Sequence, residues 1–311
     1  MPLHLVPRVL HYLEEVARSG SIQAASRELG ISASAVHRQI TLIEEDLGDT
    51  LFVRGNKGMA LTPAGQMVIE LARNWRLDNS RLWNTIQANK GVESPTVKIA
   101  AMDGMVNGYL PNMVDEICRK YPQAQLEVEV TSPDSAVNGV LNGDYDVAAV
   151  VNPFPHDDLK IHWSRAYPLG CVAVPSHPVA KLDSISLVEF ARQKIVFQSV
   201  ALSVRRLLES RHSWIFSRAE NSVVVNSIQL MKLLVQSGKY VAVTSELDAG
   251  PEIEAGQLVF VPVEDEDLFK QRFALVSNRQ LPESATMSKV ISIAADVLNR
   301  QPIPVSKRHV S

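Results

Sequence analysis

The stretch Gly20–Glu44, GSIQAASRELGISASAVHRQITLIE, decides how the first third of the chain folds. Ser21 stands where an N-cap opens a short helix, Ala24, Ala25 and Leu29 fall on its inner face, and Gly30 ends it. Ser32 or Ser34 opens a longer helix with Val36, Ile40, Ile43 and Leu47 at i, i+4, i+7 and i+11, closed by Gly48. Two small alanines let such helices cross closely. A helix of about eight residues, a turn at Gly30 and a second, longer helix is the spacing of a helix-turn-helix. A tight helical hairpin meets the same local demands, so the flanks must separate the two readings.

Upstream, Val9, Leu10, Leu13, Val16 and Ala17 recur at helical spacing and stop at Ser19-Gly20. Downstream, Leu51 to Leu61 reads as two short strands around a turn containing Gly and Asn, with Arg54 and Lys57 near its tip. Thr62-Pro63 is an N-cap followed by proline at the first helical position. Met67, Ile69, Leu71, Trp75, Leu77, Leu82, Trp83 and Ile86 then mark a long helix, to about Ala88, with surplus apolar surface suited to self-association. The hairpin and the long helix favour a winged helix-turn-helix over a plain hairpin.

Charge patterning agrees. Net charge is -3, which argues against indiscriminate nucleic-acid binding. Leu29–Ile43 holds Arg38 and no acid, and Thr50–Ile69 holds Arg54 and Lys57 and no acid, while Glu44, Glu45, Asp46 and Asp49 cluster between them. Acids swept out of two patches suit a small, oriented phosphate contact. Ser32, Ala33, Ser34, Ala35, His37 and Arg38 are small, polar or basic, able to lie against base edges. His37 is open to a phosphate, a guanine or plain solvent.

Asn89–Pro95, with Gly91, Ser94 and Pro95, reads as a linker. Beyond it apolar runs of strand length alternate with helical segments, which predicts a mostly parallel α/β sheet. About 200 residues is large for one sheet, so two lobes and a cleft are expected. The tail from Gln301 reads as frayed. With 46% apolar and 21% charged residues, 15 Gly and 17 Pro, the composition excludes collagen-like, coiled-coil and disordered chains. No apolar stretch reaches membrane-spanning length, and Met1–Gly20 lacks a signal-peptide pattern, so a cytoplasmic protein is expected. Cys118 and Cys171 are too few for a disulfide framework or a zinc site, and both are expected to be buried fillers. No cofactor is predicted.

Gly20–Glu44, together with Leu47-Gly48-Asp49-Thr50-Leu51-Phe52-Val53-Arg54 and Leu61-Thr62-Pro63-Ala64-Gly65, resembles the LysR-type transcriptional regulators. Leu110-Pro111, Tyr121-Pro122, Leu141–Asp146, His177–Ala180, Leu234–Gly238 and Gly256-Gln257-Leu258 extend the likeness more weakly. The resemblance implies an N-terminal winged helix-turn-helix (1–62), a linker and dimerisation helix with hinge (63–92), and a two-lobed α/β effector domain (93–301) followed by a tail (302–311). That domain would be similar to periplasmic solute-binding proteins of type 2, with lobe I at about 93–163 and 266–301 and lobe II at about 164–265. It further implies double-stranded DNA, a small-molecule effector and other copies of the chain as partners, self-association as dimer or tetramer through residues 63–88, and contact with RNA polymerase if the protein activates.

By position, Ser21, Ser32, Ala33, Ser34, His37, Arg38, Arg54 and Lys57 are the expected DNA-binding residues. Where the family often has Gln this chain has Ala33, and where it often has Ser this chain has His37, which weakens adenine readout. For the effector, strand ends and helix starts supply Met102, Asp103, Met105, Pro153, Phe154, Ser199, Val200, Asn226, Ser227 and Thr244. Met102, Gly104 and Met105 stand where many members place Ser or Thr. That points to an effector that is partly apolar or that carries a cation for Asp103; alternatively Asp103 caps the helix that follows it. An enzyme and a stand-alone solute receptor are the rival classes. Neither has a use for Ser21–Leu61, and no Gly-x-Ser-x-Gly elbow, phosphate loop or paired His at metal spacing is present. His156 with Asp157-Asp158 reads as a solvated loop.

Overall fold

The structure is a computed structural model that describes residues 7–55, 58–89, 96–200, 202–219, 222–264 and 270–300. It divides into two compact units, Met1–Val92 and Glu93–Ser311.

The first unit runs α1 (Arg8–Ser19), α2 (Ile22–Leu29), α3 (Ala33–Leu47), β1 (Phe52–Gly55), β2 (Gly58–Leu61) and α4 (Pro63–Asn89). Leu13, Val16, Ala25, Val36 and Ile40 pack into one core with Leu51 and Ala72. Ser21 accepts a hydrogen bond from Ala24 N and Ser32 from Ala35 N, which fixes where α2 and α3 start. Leu47, expected inside, is exposed, because the core is already closed one turn earlier by Ile40 and the half-buried Ile43. β1 and β2 form an antiparallel hairpin pairing Gly55 with Gly58.

Glu44 holds the start of that hairpin, its Oε1 accepting from Leu51 N at 2.7 Å and Phe52 N at 3.4 Å. Met59 N donates to Gly20 O at 2.8 Å, tying the hairpin to the α1–α2 turn. Gly58 has φ +113°, and a Cβ there would come 2.5 Å from Gly20 O, so glycine is required twice over. Thr62 caps α4, accepting from Gly65 N at 3.0 Å. Arg76 of α4 pairs with Glu14 of α1 at 2.7 Å. Along α4 Leu77 is buried, but Met67, Leu71, Trp75 and Leu82 are exposed, Met67 to 71%. The side chain of Trp83 and the linker positions 90–95 lie outside the described residues.

The second unit runs β3 (Thr96–Ala101), α5 (Tyr109–Lys120), β4 (Gln125–Val130), α6 (Pro133–Asn142), β5 (Val147–Val151), β6 (Leu159–Tyr167), β7 (Leu169–Ala173), α7 (Leu187–Phe190), β8 (Val196–Gln198), α8 (Ser203–His212), α9 (Trp214–Arg218), β9 (Val223–Val225), α10 (Ile228–Gln236), β10 (Ala242–Ser245), α11 (Glu246–Glu254), β11 (Val259–Pro262), β12 (Gln271–Asn278) and α12 (Ala285–Arg300). It has two lobes. The first is built on a sheet ordered β4-β3-β5-β12-β6. In the second, β10-β7-β11 and β8-β9 are joined by a bridge between Ile195 and Val241. The chain crosses between them at Pro168, between β6 and β7, and again between β11 and β12.

The sheets are mixed rather than mostly parallel. β3 runs parallel to β4 and β5, and β8 to β9, but β12 is antiparallel to β5 and β6, and β7 to β10 and β11. Strands that return through a lobe crossing reverse direction, which local periodicity does not register. β6 carries Lys160, His162, Ser164 and Arg165 and lacks an apolar run; its pairing with β12 makes it a strand. α11 forms despite Gly250-Pro251, capped by Ser245 and with its Asp248 side chain buried. Cys171 is buried in β7, but Cys118 is exposed on the outer side of α5 and is no core filler. No described helix is long and apolar enough to cross a membrane.

Candidate nucleic-acid interface and ligand cleft

In the first unit the N-terminal turns of α3 point outward. Ser32, Ser34, Ala35, His37 and Arg38 are exposed and Ala33 is half-buried, because Val36 and Ile40 occupy the opposite face. Ser32 Oγ also lies 3.1 Å from Ser34 Oγ, and His37 Nδ1 3.4 Å from Thr41 Oγ1. Ser21 is half-buried at the cap of α2, behind α3. Arg54 is exposed on β1, and neither it nor Arg38 has an ion-pair partner among the described residues. Lys57 lies outside the described residues. The acidic cluster that follows turns partly to structure, since Glu44 is spent on the hairpin amides. What remains at the front of α3 is a helix N-terminus with hydroxyls, an imidazole and a guanidinium, a surface suited to phosphate and base edges.

In the second unit a cavity of about 340 Å³ opens between the lobes. Met102, Asp103, Asn226 and Ser227 reach its wall. Met105 is buried behind it, and Thr244 is buried with its hydroxyl on Asp248 Oδ2 at 2.8 Å. Pro153, Phe154, Ser199 and Val200 do not line it; Phe154 packs on the first lobe's core, and Val200 faces solvent while the next helix start, Leu202-Ser203, takes the wall position. Ala201 lies outside the described residues. Thr131, Ser132 and Pro133 line the cavity at the end of β4. Their signal was legible, a Ser-Pro helix start of the same kind as Thr62-Pro63. Gln198, at the end of β8, belongs to the strand end that the sequence offers, but Ser203 and Gln271 have no such signal, since Gln271 arrives from the far end of the chain to donate to Ser203 Oγ at 2.7 Å.

Asp103 does not cap the helix that follows it. Its Oδ2 accepts from Ile228 N and from Gln229 N, the latter at 3.1 Å, so it caps α10 of the opposite lobe. Gln229 Nε2 returns a bond to Asp103 O at 3.0 Å, and Ser227 Oγ takes Leu230 N at 3.2 Å. The carboxylate is therefore already matched by amides and has no need of a ligand cation. Next to it, a Cβ on Gly104 would lie 2.3 Å from Asp248 Oδ1. Asp248 accepts from Thr244, and from Ser245 Oγ at 2.9 Å. Burial raises its carboxyl above the ordinary range, opposed by those hydroxyls and by nearby Lys232. Lys232 Nζ pairs with Glu252 at 2.8 Å and donates to Asp248 O at 3.0 Å, while Asn107 of the first lobe donates to Glu252 at 2.7 Å. Across the cleft, Arg206 of α8 pairs with Asp134 of α6, Nη2 lying 3.3 Å from Oδ1. Among the described residues no cluster of His, Cys, Asp and Glu suits a metal, and His156 is an exposed loop residue whose Nδ1 accepts from Asp158 N.

Comparison with known proteins places both units. Residues 7–66 match the family described as bacterial regulatory helix-turn-helix protein, lysR family, and residues 90–299 match the LysR substrate binding domain. A probable RuBisCO transcriptional regulator of Emiliania huxleyi is 28% identical over 262 residues, covering 82% of this chain and 83% of its own. The RuBisCO operon transcriptional regulator of Allochromatium vinosum is 26% identical, covering 84% and 86%. Among solved structures, full-length OxyR from Pseudomonas aeruginosa superposes with a TM-score of 0.59 at 16% identity, covering 96% of each chain. CbnR, described as a LysR family transcriptional regulator, gives 0.54 at 18% identity, covering 93% of this chain and 98% of its own. These likenesses confirm the winged helix-turn-helix followed by a two-lobed α/β domain.

Proposed function

The chain belongs to the LysR family of transcriptional regulators, and on that premise we propose which of its residues read DNA, where it self-associates and where its effector enters. Residues 1–62 bind the operator, 63–92 join copies of the chain, and 93–301 take the effector, with lobe I at about 93–163 and 266–301 and lobe II at about 164–265. The observation that carries the DNA assignment is the exposed, acid-free front of α3, in a unit whose hairpin also exposes Arg54. Ser32, Ala33, Ser34, His37 and Arg38 enter the major groove, and Arg54 and Lys57 reach the adjoining backbone or minor groove. Ser21 acts from behind, holding α2 so that α3 is presented.

The exposed apolar side chains of α4 support self-association as a dimer or a tetramer, which sets two recognition helices about one helical turn apart. The interlobe cavity is the effector site, the effector acting by favouring one packing of the lobes. The protein acts in the cytoplasm without catalysis, contacting RNA polymerase if it activates. Genome-wide footprinting tests the reading directly: a few palindromic sites near divergent genes are expected, and no enriched site at low salt would overturn it. Arg54→Ala is expected to weaken binding and lower the salt slope by about 1, and Arg38→Ala to weaken binding by about 1–3 kcal/mol and relax sequence preference; an unchanged slope in the first or an unchanged preference in the second would remove that contact.

A further inference from the structure

The front of α3 carries hydrogen-bond donors and no carboxylate or carboxamide. Ala33 and Ala35 offer methyl groups there, and Ser32 and Ser34 offer hydroxyls, which pair with any base and discriminate little. Those hydroxyls are also partly spent, Ser32 Oγ accepting from Ala35 N at 3.2 Å and lying 3.1 Å from Ser34 Oγ. His37 and Arg38, both exposed, are left as the side chains with polar groups to bring to a base edge. The groups that pair with adenine and cytosine stand elsewhere. Gln39 is half-buried on the flank it shares with Val36 and Ile43, Glu44 is spent on the hairpin amides, and Glu45 lies about two turns beyond Arg38.

His37 is held as a donor. Its Nδ1 lies 3.4 Å from Thr41 Oγ1, and that hydroxyl has no other partner among the described residues. A hydroxyl proton given to Nδ1 puts the ring's own proton on Nε2, and the doubly protonated ring carries one there too. In either state His37 presents an N–H from Nε2. Guanine alone sets two acceptors side by side on the major-groove edge. Adenine places a donor next to its acceptor, and thymine has a single acceptor beside its methyl group.

We propose that His37 and Arg38 each read a guanine in the major groove, Arg38 through O6 and N7 together and His37 through N7, so that each operator half-site carries two guanines at the positions these residues meet. The loss of carboxamides from the front of α3 thus moves the reading from adenine to guanine. The inference rests on α3 being the helix that reads DNA.

The test selects bound duplexes from a randomised library with the full chain, then measures affinity for the selected duplex by fluorescence anisotropy at fixed ionic strength. Two guanine positions per half-site are expected, one losing its preference in His37→Ala and the other in Arg38→Ala. Placing 7-deazaguanine, which lacks the N7 acceptor, at the His37 position is expected to weaken wild type about fivefold, the worth of one hydrogen bond, and to leave His37→Ala within about twofold. His37→Gln supplies a carboxamide and is expected to turn that position from guanine to adenine. A base other than guanine at either position, a 7-deazaguanine duplex bound as tightly as its guanine counterpart, or a His37→Gln protein that still selects guanine overturns the base assignment while leaving α3 as the DNA-reading helix. The wild-type selection and the base analogue decide by themselves if a variant does not fold. No enriched sequence at low salt overturns the DNA reading itself.

Discussion

Replacing Lys232 with methionine tests how the second lobe tolerates a buried charge. Lys232 is 2% exposed and Glu252 6%, with Nζ and Oε1 2.8 Å apart. At an effective dielectric of about 20 their attraction is about 6 kcal/mol, most of it offset by the cost of taking both charges out of water. The pair as a whole therefore adds little, but its two halves are not separable. Lys232→Met keeps the stem and its packing and removes the ammonium from Glu252, whose Oε2 is already without a partner and whose Oε1 would keep only the Asn107 amide. It also strips the donor from Asp248 O. Removing one partner of a buried pair costs about 3–5 kcal/mol, and that loss is expected in urea unfolding of the full chain. The double variant Lys232→Met, Glu252→Gln is expected to be more stable than Lys232→Met, since no orphan charge remains. A single-variant loss under about 1 kcal/mol, the worth of an exposed pair, or strict additivity in the double, would refute the reasoning.

Gly104→Ala places a methyl 2.3 Å from Asp248 Oδ1, held by two hydroxyls, and is expected to cost about 1–3 kcal/mol in thermal unfolding; an unchanged midpoint would mean that the lobes part without cost there. Glu44→Ala frees the Leu51 and Phe52 amides and is expected to lose about 1.5–3 kcal/mol of first-unit stability and to weaken operator binding, which hydrogen exchange at those two amides reads directly. The Glu116 carboxyl, bonded by Arg119, Lys120 and Arg300, is held down at about 2 from an ordinary 4.5. Because the folded value is depressed, its contribution to stability is present above pH 4.5 and is lost as pH falls toward 2. Carboxyl NMR should show that titration, moved upward in Arg300→Ala; a value unmoved by the substitution would dismiss the α12 contact. Trp75→Asp is expected to shift the mass in analytical ultracentrifugation toward smaller species, and an unchanged mass would place self-association elsewhere.

Much of the fold was legible because its signals are local. Ser21 and Ser32 cap helices, Gly30 and Gly48 end them with left-handed φ, and Thr62-Pro63 opens α4, each decided by residues within a few positions. The acid-free front of α3 follows from the same local periodicity, since burying Val36 and Ile40 leaves His37 and Arg38 outside. The alternation of strands and helices after residue 96 was readable in the same way. What tertiary structure alone decided are the matters that depend on distant partners. β6 is a strand because β12 lies beside it, and the sheet is mixed because the chain crosses twice between lobes. Asp103 looked like a ligand for a cation or a cap for its own helix, and it is a cap for a helix 125 positions away. Gln271 reached the cavity with no local mark at all. Capping and amphipathicity act within one or two turns and are written into neighbouring residues, whereas a cleft is the meeting of chain segments whose separation in sequence carries no force.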